Sequence, residues 1–275
     1  GNSAYSTWFD EGDGFYKTSR DAYGNGGAAC GSFLVNCSLI GNEAAKAGGG
    51  AYQSTLAGCA VTGNRAYCTT NFYSKSYYII GQGGGLWDCW ATNTTIANNE
   101  AGDSGGGVYG GTTLNCLVQS NKALGEYWVP DSNGGYAYGG GGGVCNGQAQ
   151  RCEISWNYAT LRGGGAFRSD IKNCVLRKNS ASHGDGYSPV TWVGVGGGAY
   201  NGHLQYCTVI DNSSWNGGGM ASGTGDHCVV YFNTASNPPT MNYDQAALSN
   251  SCVWPDPVPG SNNRTNNPRL VDWTA

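Results

Sequence analysis

Apolar and polar residues alternate over short runs bounded by glycine or asparagine, and each run sits at a fixed offset from a glycine triplet. The template is a triplet, eight residues, Cys, one residue, an aliphatic, two residues, Asn, one residue, Ala. Gly48-Gly49-Gly50 leads to Cys59, Val61, Asn64 and Ala66. Gly105-Gly106-Gly107 leads to Cys116, Val118, Asn121 and Ala123, and Gly163-Gly164-Gly165 to Cys174, Leu176, Asn179 and Ala181. The offsets recur at Cys37, Cys152, Cys207 and Cys228, and Thr94 replaces the cysteine once while Ile96, Asn99 and Ala101 are kept. Period-two alternation between turn residues predicts strands.

A unit of about 22 residues is too short to bury a hydrophobic face alone, so it must stack on copies of itself. The predicted fold is all-β: a single right-handed parallel β-helix of about nine turns. Strands in register place equivalent residues about 4.8 Å apart. Leu39, Val61, Ile96, Val118, Ile154, Leu176, Val209 and Val230 then form one interior column. The asparagines form a second column at a corner, where amides bond along the stack and tolerate left-handed backbone. Glycine triplets suit a corner where the chain bends and passes close to its neighbours. Residues 105–110 match G-x-G-x-x-G, but the repeat itself generates that string and no helix pattern follows.

Successive template cysteines, ending at Cys252, lie 22, 57, 36, 22, 33, 21 and 24 residues apart, the 57 spanning the Thr94 turn. Plain turns thus alternate with longer ones, whose insertions cover 67–82, 124–140 and 182–195. Loops are expected on one edge of every second turn, which in such repeats is often the binding face. The solenoid is assigned to 26–252, an aromatic-rich segment or cap to 1–25, and a Pro/Asn-rich cap or tail to 253–275.

Of 275 residues, 12% are charged, 39% are hydrophobic, 48 are glycine and 12 are cysteine. That balance excludes collagen and disorder. A net charge of −4 offers no basic footprint for nucleic acid or anionic membranes, and no apolar run is long enough to span a bilayer. Few lysines, many tyrosines and an even cysteine count point to a secreted or cell-surface protein whose signal peptide has been removed. A cysteine column lies at a spacing that admits disulfides, although opposed residues are poorly oriented for them; a buried stack of small side chains is the plainer reading. Cys30 with Cys37 and Cys145 with Cys152 are candidate intra-turn bridges, and Cys68 is a candidate partner for Cys89. Zinc is not expected, since no C-x-x-C pair exists and only three histidines are present.

The string N-C-x-Φ-x-x-N-x-A-x-x-x-G-G-G, as in Asn173-Cys174 through Asn179 and Ala181, resembles repeats of bacterial surface right-handed β-helix proteins. These are the polymorphic outer-membrane-protein-like repeats and the choice-of-anchor β-helix group. The closing Asn266-Asn267-Pro268-Arg269-Leu270-Val271-Asp272 is similar to the segment that ends such solenoids. The resemblance covers roughly 20–275 and implies a surface location with a passive, adhesive or structural role.

Polysaccharide lyases and hydrolases on β-helices need clustered carboxylates, for calcium beside a basic residue or as an acid–base pair. Aligned on the cysteine column, Gln148, Asp170, His203 and Thr224 share one offset, and Gln150, Lys172, Gln205 and Asp226 another. Asp170 and His203 are therefore expected to adjoin, with Lys172, Arg168 and Asp226 nearby, a candidate acid–base pair on a strip that solvation alone also explains. His183-Gly184-Asp185 falls in a loop without partners. Asp10, Glu11 and Asp13 are candidate calcium ligands, though they depart from EF-hand spacing. Calcium is the one cofactor the sequence admits.

Of 33 aromatic residues, 17 lie in the first 25 positions and the three long loops. Tyr73, Tyr77, Tyr78, Tyr127, Trp128, Tyr136, Tyr138, Tyr187 and Trp192 are the candidate ligand- or partner-binding residues, as a ridge for glycans, adhesion or lateral assembly. Solenoid ends expose unpaired strand edges, so 1–25 and 253–275 are expected to cap them or to mediate head-to-tail stacking into a filament. The expected function is an extracellular, non-catalytic structural or adhesive solenoid; the alternative is a polysaccharide-binding or polysaccharide-cleaving one. Flat Thr-x-Thr ranks, the mark of ice binding, are absent.

Overall fold

The computed structural model describes residues 24–67, 81–125, 139–182, 194–237, 241–254 and 262–268. It also describes the strands Ser3–Ala4, Ser6–Phe9, Tyr16–Ser19, Thr69–Thr70 and Tyr78–Ile79. Four parallel sheets of nine strands each run the length of a right-handed β-solenoid. Each sheet is one wall. Wall one runs from Ala29–Cys30 to Tyr243–Asp244 and wall two from Phe33–Val35 to Ala247–Ser249. Wall three runs from Ser38–Ile40 to Cys252–Val253, and wall four from Ser3–Ala4 through Glu43–Ala44 to Thr234–Ala235. Two antiparallel ribbons stand beside the stack: Ser6–Phe9 with Tyr16–Ser19, and Thr69–Thr70 with Tyr78–Ile79 in the first insertion.

The 22-residue template resolves into shorter segments. Gln53, Gly58 and Gly63, five residues apart, take left-handed φ between 45° and 65° and turn the chain at successive corners. The next residue at each corner, Ser54, Cys59 or Asn64, is buried. Between corners, Leu56, Val61 and Ala66 face the interior at 0% exposure. The aliphatic column forms as the repeat predicts, with Val61 paired in turn to Ile96, Val118, Ile154, Leu176, Val209 and Val230. Each such buried side chain contributes about 1.5–3 kcal/mol.

The asparagine column is a continuous amide ladder. The Nδ2 of Asn64 donates to Oδ1 of Asn99 at 3.0 Å, Asn99 to Asn121 at 2.9 Å and Asn121 to Asn157 at 3.0 Å. The second hydrogen of Asn121 goes to the Ile96 carbonyl, and its oxygen also accepts the Asn99 backbone N–H. Every donor and acceptor of a buried amide is thereby used. The left-handed residue is not the asparagine, as the sequence suggested, but the one before it, such as Gly63, Asn98, Ser120 or Lys178. Asn242 stands at the third-glycine position of the last turn and closes the ladder by accepting from Asn233 at 3.0 Å.

The cysteine column does the same work with sulfur. The Cys152 N–H donates to Cys174 Sγ at 3.3 Å, and the Cys174 thiol donates to the Lys172 carbonyl at 3.2 Å. Thr94 Oγ1 accepts the Cys59 N–H in the same way, which explains why threonine replaces cysteine there. At the last turn the column residue is Ser251, accepting from Cys228 at 3.0 Å. Cys252, one residue later, lies instead in wall three against Val229. Cys89 belongs to the preceding corner, where its Sγ accepts the Ser54 N–H.

All described cysteines are free thiols, so the bridges Cys30–Cys37 and Cys145–Cys152 do not form, and Cys89 is unbridged. Their geometry opposes pairing. Val144 lies in the interior column with Val108 and Ala166, so its neighbour Cys145 projects to the opposite face, away from inward Cys152. Cys30 occupies the same outward register, beside Tyr52. Cys68 lies outside the described residues. Burial pushes the Cys89 thiol up to about 11 and that of Cys145 higher still. A disulfide-exchange reagent should label Cys30 promptly and these two only after unfolding. Cys174→Ser should change the denaturation midpoint by less than about 1 kcal/mol equivalent, since a hydroxyl fills the same ladder role at Thr94 and Ser251.

Outward faces differ by wall. In wall four Glu43, Arg65, Glu100 and Lys122 alternate in sign on successive turns, with Arg65 Nε 2.9 Å from Glu100 Oε1. Wall one carries an aromatic ladder two residues after five of the seven glycine triplets. Tyr52 stacks on Trp87 at 4.5 Å and Trp87 on Tyr109 at 6.3 Å, and after Cys145 the series resumes with Phe167 on Tyr200 at 5.7 Å. The near-parallel rings of the first three face one another, so this ladder joins turn to turn and leaves mainly edges to solvent.

Candidate functional site

The outer faces of walls two and three form one surface around the corner that carries the thiol column inside. Over the first four turns its sixteen outward strand positions hold no ionisable side chain. On wall two, Phe33, Thr55, Trp90 and Thr112 share one register and Val35, Ala57, Thr92 and Leu114 the other. Wall three continues with Ala60, Thr95 and Leu117, and with Ile40, Thr62, Ala97 and Gln119. The corner residues between them are Asn36, Gly58, Asn93 and Asn115, short and uncharged. Exposed Asp88 borders this region beside wall two, and the charge ladder borders it on wall four.

From the fifth turn the same surface becomes charged. Glu153 pairs with Arg177 at 2.8 Å, and corner residues grow to Arg151, Tyr206 and His227, the last two with ring centroids 4.9 Å apart. At the next corner Lys178 Nζ lies 4.7 Å from the exposed Trp156 ring. The register does set Asp170 beside His203, and Lys172 beside Gln205. The His203 Nδ1, however, hydrogen-bonds Thr224 Oγ1 rather than the Asp170 carboxylate. Asp226, two positions along, accepts from Asn250 at 2.8 Å, His227 at 2.8 Å and Ser249 at 2.9 Å. Those bonds, Asn250 first, hold its carboxyl down at about 2, so it stays ionised through the neutral range. Asp170 and Lys172 are exposed and Arg168 lies 5.0 Å from the Phe167 ring centroid, so the strip brings the predicted residues into one face without closing them into a pocket.

The loop aromatics Tyr73, Tyr77, Tyr127, Trp128, Tyr136, Tyr138, Tyr187 and Trp192 lie outside the described residues, as do Asp10, Glu11, Asp13, His183 and Asp185. Of Tyr78 only the backbone is described, in the ribbon of the first insertion. Among the described residues, no group of three or more His, Cys, Asp or Glu is placed to hold a metal, and no helix is long and apolar enough to cross a membrane.

A buried polar cluster went unrecognised in the sequence. Asp103 is 6% exposed, and its N–H donates to Gly81 where the first insertion rejoins the stack. One carboxylate oxygen has no hydrogen-bond partner. Burial pushes its carboxyl up to about 6 against the opposing hydrogen bonds from Ser104 and Gln82. The only hint was an acid directly before a position otherwise occupied by Ala47, Gln82 or Arg162. The folded state holds this proton more tightly than the unfolded chain, whose value is near 3.8. The resulting stabilisation is complete below pH 3.8 and is lost as pH rises through about 6. Asp103→Asn should remove that slope and raise stability at pH 7 by on the order of 2–3 kcal/mol, read from urea melts at pH 4, 5, 6 and 7.

No family model and no curated protein matches the chain. Solved structures to which it is similar include the pectate lyase Pel9A, 14% identical, with 79% of this chain and 55% of that one covered at a TM-score of 0.29. The chain thus spans about half the length of that lyase. Another is full-length QnrB1, a plasmid-mediated fluoroquinolone resistance protein, 13% identical over 86% of this chain and 94% of that one at a TM-score of 0.23. Such superpositions are loose; the solenoid is defined by its own strand register.

Proposed function

We propose that the chain is an extracellular or cell-surface β-solenoid with a structural or adhesive role, non-catalytic, whose working surface is the outer face of walls two and three. Its proposed kinship is with the bacterial surface β-helix proteins its repeat resembles. The observation that supports this reading is the division of one continuous surface into an uncharged half and a charged half on a rigid, internally bonded rod. A rod of this kind presents side chains at fixed spacing and does not need a cleft. Head-to-tail or lateral assembly belongs to the same proposal. Electron microscopy and light scattering of the purified chain test it: filaments or concentration-dependent oligomers are expected, and strictly monomeric particles at high concentration remove the assembling form.

A second reading, polysaccharide cleavage, is favoured by the register that sets Asp170 beside His203. Uronate-polymer and neutral-glycan cleavage assays decide it. Turnover that disappears in His203→Ala would establish an enzyme, and silence on all polymers would end the reading.

A further inference from the structure

We infer that the uncharged half of this surface binds a neutral, extended polysaccharide of β-1,4-linked pyranose rings, lying along the solenoid axis over the column Phe33, Thr55, Trp90 and Thr112. The inference rests on that surface being the working one and adds what it holds. Phe33 and Trp90 are 72% and 52% exposed, and neither pairs with another ring among the described residues. Their neighbours in the register, Thr55 and Thr112, are short, so both rings stand above the sheet. They differ in this from the wall-one ladder, whose rings are used by one another.

Phe33 and Trp90 are two turns apart, about 9.6 Å along the axis. A pyranose in an extended β-1,4 chain spans close to one strand spacing, so rings two turns apart meet alternate sugars on the same side of the chain. The apolar C–H face of a sugar suits an aromatic face, and its hydroxyls suit the Thr55, Thr92 and Thr112 side chains and the corner amides of Asn93 and Asn115. No ionisable side chain occupies the outward strand positions of walls two and three on these four turns, so an acidic polymer finds no cation to pair with on that face. A neutral polymer loses nothing by that, and its binding should persist at high salt.

Titration calorimetry with cellohexaose and chitohexaose, and with oligogalacturonate as the acidic contrast, tests the inference. One of the neutral hexamers should bind with little change between 0.01 and 1 M salt (roughly 30 Å to 3 Å of screening length), and oligogalacturonate should not bind. Trp90→Ala and Thr55→Lys should each weaken binding at least tenfold, and Lys122→Ala on wall four should leave it unchanged. Both wall variants should melt with the parent, because these side chains point outward. Absence of binding to both neutral hexamers, or binding indifferent to Trp90→Ala and Thr55→Lys, overturns the inference. If those variants instead abolish self-assembly while no glycan binds, the surface is an interface between copies: the adhesive-solenoid reading survives and the glycan does not.

Discussion

Alanine at Gly164 is expected to leave no folded protein. A Cβ at that position would lie 2.4 Å from the Ser180 carbonyl carbon and oxygen and 2.6 Å from the Gly197 oxygen. All three are backbone atoms, two belonging to wall four across the interior and one to the next turn, so no rotamer change relieves the clash. The same contact recurs along the stack: Gly49 meets Arg65, Gly106 meets Lys122, and Gly142 meets Tyr158, each at 2.5 Å or less. The middle glycines are where two walls touch backbone to backbone. Overpacking an ordinary core costs about 1–3 kcal/mol because side chains shift. Here the walls themselves must part, and the loss should exceed about 4–5 kcal/mol. Circular dichroism and size exclusion on Gly164→Ala check this. The matched control is Gly63→Ala, at φ +65° with nothing within 4 Å of its Cβ, where only left-handed strain of about 1–2 kcal/mol is expected.

Asn121→Ala should be the most costly polar truncation, on the order of 3–5 kcal/mol by chemical denaturation. Removing the amide strips partners from the Asn99 N–H, the Asn99 side chain and the Ile96 carbonyl at once, and takes a donor from Asn157. Asn121 is fully buried, so the orphaned groups are not left facing bulk solvent. Asn121→Asp should be worse than alanine at pH 7. It keeps the acceptor but turns an oxygen toward the Ile96 carbonyl and the Asn157 oxygen, where two hydrogens stood. Equal denaturation midpoints for Asn121→Ala and Cys174→Ser would show that the amide ladder is no more than a space filler.

The parts of this fold that were legible in the sequence are those where one residue type fills a column. Valine, leucine and isoleucine mark the interior of wall three, cysteine and asparagine mark two corners, and glycine marks the backbone contact. The corner between walls one and two escaped notice because its inward residue needs only to be small. Ser54, Cys89, Gly111, Gly147 and Ser169 serve there without a shared identity. Without that column the five-residue spacing stays hidden, and Cys89 looks like a stray thiol with a bridge to make. Disulfides were misjudged for a related reason: spacing along the chain does not say which face a cysteine occupies, and in a strand one residue's shift reverses it. Candidate chemistry was less legible than the fold. The strip at Asp170 and His203 was placed correctly in register, whereas the bond from His203 to Thr224 depends on rotamers that no pattern encodes. The uncharged surface is visible only once outward positions from four separated segments are laid side by side.

The amide ladder is also directional. The side-chain-to-side-chain bonds all run from one turn to the next, one Nδ2–H of each asparagine donating toward the following Oδ1 from Asn42 to Asn242 without a reversal. Eight side-chain amides aligned in this way add up to roughly 28 D if each equals a peptide unit, with the positive pole at the carboxy-terminal end. The rod is therefore electrically polar in a manner that its small net charge conceals.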